Sequence, residues 1–281
     1  MAAATEEITA LDVGNSVLME HLNICVPDQL TATLFYIVGL GLTRDPYNTV
    51  GVDNMHVNVG ESQFHLPTRG AQVLAGHVGM VVPDLDALEQ RLELIKGRLG
   101  DTKFAWSRAD DHVDVTCPWG NSIRCYAPTA GFGNITLGMP YIEQLVKPGT
   151  AAGIARFYEQ VLRIPATVET NGSTAAHVRV GRNQELIFRE SADVPPWDGY
   201  HVAVYVSNFS GPYTYMKDHG LIAEDIRNNQ FRFKNIVDPE SGELLCELEH
   251  EVRNLFHPQF RRTLVNRDAT PVAAAPRPSA G

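Results

Sequence analysis

His56-Val57-Asn58-Val59-Gly60-Glu61-Ser62-Gln63 returns along the chain as His177-Val178-Arg179-Val180-Gly181-Arg182-Asn183-Gln184, at an offset of 121 residues. Working outward, Phe35-Tyr36 returns as Phe157-Tyr158 at offset 122. His77-Val78-Gly79-Met80-Val81-Val82 returns as His201-Val202-Ala203-Val204-Tyr205-Val206 at offset 124. Three matches in the same order at nearly one spacing mark a tandem duplication, so each half has to be read against the other.

The 281 residues suit two units of ordinary size, and a composition of 44% hydrophobic and 20% charged residues suits globular domains. No apolar run approaches the roughly 20 residues of a membrane helix. Met1 to Thr9 has no basic patch followed by an apolar stretch, so no signal peptide is expected, and a cytoplasmic location is. Cys25, Cys117, Cys125 and Cys246 have no CxxC spacing and read as reduced thiols. A formal charge of −10 argues against nucleic acid as a partner. The one basic cluster, Arg261-Arg262 with Arg267, reads as solvated surface.

Local patterning is mixed. Opening strands are expected at Leu18–Val26, Gly76–Val82, Met139–Val146 and Tyr200–Ser207. The first two end in Pro27-Asp28 and Pro83-Asp84. Gln29 to Gly39 and Leu85 to Leu99 have helical spacing. His112 to Thr116 and Ser122 to Tyr126 read as a hairpin. Each half divides again, so the chain is α+β with four βαβββ modules, paired into two half-barrel domains in tandem. The expected domains are 17–130, from modules 17–70 and 75–128, and 137–255, from modules 139–191 and 198–252. Residues 1–16 are an N-terminal extension. Residues 256–281 are a C-terminal one, expected to be disordered from about 268.

This organisation resembles the vicinal oxygen chelate superfamily, which includes glyoxalase I, bleomycin resistance proteins and extradiol dioxygenases. The marks are His21-Leu22-Asn23-Ile24-Cys25-Val26-Pro27-Asp28 as an opening strand, Phe35-Tyr36 before Leu40-Gly41 as a helix end, and Asp238-Pro239-Glu240-Ser241-Gly242 as the turn before a last strand. The resemblance implies a divalent metal (Fe, Mn or Zn) inside a cupped sheet, held by ligands from first and last strands. It implies a small organic substrate that chelates through neighbouring oxygens. Four modules point to an extradiol-type dioxygenase, with a glyoxalase-type lyase or isomerase, or a metal-free ligand-binding protein, as alternatives. Dimerisation is common in such proteins, and nothing in the sequence decides it.

In the first half the ligand slots hold His21, His65 and His77, while Arg124 stands where a glutamate is usual. In the second half they hold Glu143 and His201. Cys246 falls on the strict glutamate position and Glu247 beside it. Glu249 and His250 are candidate catalytic acid–base groups, and Arg124 and Arg189 candidate substrate clamps. His56 and His177 lie outside these slots and read as structural.

Overall fold

A computed structural model describes residues 12–48 and 53–267. The segment from about 268, expected to be disordered, lies outside the described residues, as does most of the N-terminal extension. Four modules follow in order. The first has β1 (Ser16–Asn23), β2 (Thr43–Arg44), β3 (Asn54–Val59) and β4 (Ser62–Pro67), and the second β5 (Gly76–Val81), β6 (Ala105–Arg108), β7 (His112–Thr116) and β8 (Ser122–Tyr126). The third has β9 (Gly138–Val146), β10 (Ala166–Glu169), β11 (Ala175–Gly181) and β12 (Gln184–Glu190), and the fourth β13 (His201–Val206), β14 (Ile222–Arg227), β15 (Gln230–Val237) and β16 (Leu244–Asn254).

Each module has a helix after its first strand. α1 is Gln29–Ala32 continued by π-helical Thr33–Gly39, and α2 is Leu85–Lys96. α3 is Ala151–Phe157 continued by π-helical Tyr158–Leu162, and α4 is Ser210–Asp218. The Pro-Asp pairs that end the opening strands also start the helices. Asp28 accepts from the backbone amides of Leu30 and Thr31, and Asp84 from that of Ala87, which satisfies donors left over at a helix start.

The strands form two eight-stranded sheets, and each draws strands from both expected domains. One sheet runs β14-β15-β16-β13-β1-β4-β3-β2, the other β10-β11-β12-β9-β5-β8-β7-β6. The first module therefore shares a sheet with the fourth, and the second with the third. Neither sheet follows the division at 17–130 and 137–255. The joins are antiparallel pairs of opening strands, β1 with β13 and β5 with β9. At the second join, Gly76 has a φ of +149°, and a Cβ there would sit 2.0 Å from the carbonyl oxygen of Glu143. Only glycine allows that approach.

Strand alternation divides each sheet into an apolar face under the helices and a polar face away from them. Phe64, Phe188, Phe233 and Val252 are buried on the apolar side. The repeated Phe-Tyr pairs pack there too, with Tyr36 tilted on Phe64 and Tyr158 on Phe188. The repeated glutamine does different work in its two copies. Gln63 binds Asp45 and Asn58 within its own module, while Gln184 reaches across to the backbone of Met19 and to the Ser62 hydroxyl, tying the two sheets together.

Candidate metal centre

On β16 the residues Glu249, Glu251 and Arg253 alternate with Leu248, His250 and Val252. A period of two puts the first set on the polar face and the second in the core. The same alternation places His201 and Tyr205 of β13, His21 of β1, Gln63 and His65 of β4, and His56 of β3 on the polar face of the first sheet. A β-bulge between Met19 and His21 adds one residue to β1, and Glu20 turns to the same side as His21.

His21 and His201 face each other across the β1–β13 pair, with their Nε2 atoms 3.4 Å apart. His21 Nδ1 donates to Glu20 Oε2 at 2.5 Å. His201 Nδ1 lies 3.7 Å from Glu249 Oε1. With both Nδ1 atoms turned to carboxylates, both Nε2 lone pairs point to one place. Glu251 Oε2 lies 3.8 Å from His201 Nε2. His21, His201 and Glu251 thus present three ligand atoms within 4.8 Å of one another.

Burial keeps these imidazoles neutral. It lowers His201 to about 3 and His56 to about 4, and holds His21 and His65 well below the ordinary histidine value, with nearby positive charge adding to the effect for His21. Glu20 is raised by burial, against the pull of Arg253. Arg253 binds Glu20 at 2.6 Å and Glu251 at 2.5 Å, and Arg232 binds Glu249 at 2.6 Å and Glu251 as well. Glu20, Glu249 and Glu251, with Glu224 also 3.5 Å from Arg232, outnumber the two guanidiniums beside these neutral rings. Unprotonated imidazoles converging on a carboxylate, with that excess charge, fit a divalent cation. The Arg232 and Arg253 contacts take one direction of each Glu251 oxygen and leave lone pairs for an ion.

The structure regroups the residues singled out from sequence. His65 accompanies His21 but stacks on it, ring centroids 3.7 Å apart and 20° from parallel. Glu20, His21 and His65 also bring three ligand atoms within 4.8 Å of one another, so the His21–His65 part of the expected first-half set is together. His56 stacks on the other side of His65 at 3.5 Å, and so belongs to the same polar array. His77 is on the other sheet, 3.5 Å from Glu143 Oε1, so neither the His21–His65–His77 set nor the Glu143–His201–Glu247 set is assembled. Glu247 lies near Lys234 at 3.7 Å and lines a separate groove with Cys246 and Trp197. Glu251, two periods of the strand alternation further on, takes the place assigned to it.

Glu249 sits beside His201, but His250 points the other way. His250 is fully buried, stacked on Phe233, and bonded to the Tyr158 hydroxyl at 2.7 Å, which rules it out as a group in contact with substrate. Arg124 and Arg189 both lie on the second sheet, paired with Asp114 at 3.1 Å and Glu143 at 2.7 Å. Arg262 is no solvated surface residue. It bonds at 2.7 Å to Asp45, whose side chain is fully buried.

No protein-family model matches the sequence, and no curated protein matches it. Solved structures do. The fold is that of the vicinal oxygen chelate superfamily: paired βαβββ modules in cupped sheets. Among its members, glyoxalase I from Zea mays superposes with a TM-score of 0.59 at 13% identity, over 84% of this chain and 92% of that one. A point mutant of the same Zea mays enzyme gives 0.59 at 14%, over 90% and 97%. A candidate dioxygenase from Bacillus subtilis gives 0.55 at 16%, over 87% and 86%. Among the described residues, no helix is long and apolar enough to cross a membrane.

Proposed function

We propose that the chain is a metal-dependent enzyme acting on a small organic molecule with neighbouring oxygens, and that the reaction is ring-cleaving dioxygenation of a catechol-type diol. The observation that carries this reading is the convergence of His21 Nε2, His201 Nε2 and Glu251 Oε2. Two histidines and one carboxylate with positions left open are the donor set suited to non-haem iron(II). His21, His201 and Glu251 would hold the ion. A bound iron(II) would supply Lewis acidity toward the diol and a binding position for dioxygen. Glu20 bonds His21 Nδ1 and Glu249 faces His201 Nδ1 at 3.7 Å, the placement that carboxylates behind metal-bound histidines commonly have. Arg232 and Arg253 fix Glu251. His65, neutral through burial and donating through Nε2 to Gln63 Oε1 at 3.0 Å, keeps an unprotonated Nδ1 beside His21 as a candidate base.

The test is metal analysis of protein purified without chelator, followed by oxygen uptake with catechol under iron(II). The reading expects about one equivalent of metal and one O₂ consumed per catechol. Protein that binds no iron(II), manganese(II) or zinc(II), and gains no thermal stability from any of them, would overturn it. Metal binding without oxygen uptake would keep the centre and favour the glyoxalase-type alternative.

A further inference from the structure

A large cavity adjoins the metal cluster, with Glu20 common to both. It sits between the start of β1, the segment leading into β9 and the C-terminal segment 259–267, and encloses about 960 Å³. That volume is in the upper range for a site that encloses a small molecule. Its construction is two-sided. Val17, Leu18, Leu137 and Leu264 supply apolar wall, while Arg261 and Arg267 bring positive charge to the lining. Neither of these arginines has an acidic partner within ion-pair distance among the described residues. Arg261 instead lies over the Phe260 ring, 5.5 Å from its centroid. In a chain with a formal charge of −10, two cations on one lining without acidic partners among the described residues stand out. Of the acids on the lining, Glu20 is held by Arg253 and His21, which leaves Glu61 alone against them.

The wall is fixed in place. Asn266 donates to the Gly60 carbonyl at 2.8 Å and accepts from its amide at 3.0 Å, Asn58 donates to the Val265 carbonyl at 2.9 Å, and Arg262 is anchored on Asp45. The cavity is therefore preformed, and Arg262 is spent on holding the wall rather than on a ligand.

We infer that this cavity binds a small amphipathic organic anion, its acidic group against Arg261 and Arg267 and its apolar body along Val17, Leu18, Leu137 and Leu264. The site borders the metal centre through Glu20, which lines the cavity and bonds His21, but its ligand groups are other residues. The probe is anilinonaphthalene sulfonate, read by fluorescence on the full chain and displaced by decanoate, decanol or decyltrimethylammonium. Decanoate should displace the probe about tenfold more tightly than decanol, and the ammonium not at all. Arg261→Gln with Arg267→Gln should erase the advantage of decanoate while leaving decanol unchanged, and Leu264→Trp should narrow the cavity at its apolar wall and weaken probe binding with the circular dichroism spectrum intact. Equal displacement by decanol and decanoate, or undiminished probe binding in Leu264→Trp, would overturn the inference.

Discussion

The two sheets are the same frame with opposite contents. Strand register aligns their slots. In the first sheet His65 pairs two residues beyond His21, and Glu251 two residues beyond His201. In the second, Arg189 pairs two residues beyond Glu143, and Arg124 two residues beyond His77. One frame therefore carries His21, His65, His201 and Glu251, and the other carries Glu143, Arg189, His77 and Arg124. In the first frame the arginines stand behind the carboxylates. In the second they occupy the slots themselves. His77 Nε2 meets the Tyr141 hydroxyl at 3.0 Å and Glu143 is held by Arg189, so the polar groups there satisfy one another. Capacity for a cation does not come with the fold. On the proposed reading it rests on a few positions, and guanidiniums stand at two of them in the second sheet.

The largest expected effect is the complete loss of bound metal in His201→Ala and in Glu251→Gln, against full retention in His77→Ala, measured by metal content after dialysis. Loss in His77→Ala would show that the comparison is drawn the wrong way round. Next comes conversion. Arg124→Glu with Arg189→His replaces both guanidiniums with donors beside His77 and Glu143, and a second equivalent of zinc(II) by titration calorimetry is the expected result.

Smaller is the acid response of the core. His250 is lowered to about 4 by burial, so its unfolded form takes up a proton that the folded form refuses. Its contribution is intact above about pH 6.5 and is lost as pH falls toward 4, an effect of about 3 kcal/mol. His250→Phe should make the fall of unfolding free energy over that interval shallower by about one proton, read by urea titrations at stepped pH. The smallest is Glu20→Gln. Removing the carboxylate that orients His21 should weaken metal binding about 10- to 100-fold without abolishing it. An unchanged affinity would show that Glu20 serves only Arg253.

The module pattern was legible because it is local. Phe-Tyr helix ends, Pro-Asp starts and the hairpin at 112–126 are each written within a short stretch of chain. Module pairing was not, because opening strands carry the same alternation whichever neighbour they join. Once the first module pairs with the fourth, His21 keeps His65 and meets His201, while His77 and Glu143 fall on the other sheet. Glu251 could have been found. Glu247, Glu249, Glu251 and Arg253 recur at every second residue, with Leu248, His250 and Val252 between them, and that alternation already separates Glu251 from His250. Counting from the preceding turn instead led to Cys246 and Glu247, in a stretch where β15 and β16 shift register twice. Nothing local marks the bulge that turns Glu20 inward.

The sheet order also sets a timetable. The second sheet is drawn from one unbroken stretch, from Gly76 to Glu190, whereas the first needs strands from both sides of that stretch. As the chain leaves the ribosome, the inner sheet has all its strands while β1 to β4 still wait for β13 to β16. His21 and His201 are 180 residues apart in the chain, so the centre forms only when a very long loop closes. Until then, one edge of β1 and the histidines beside it stand without their partners, and this is the interval in which the nascent protein is most open to mispairing.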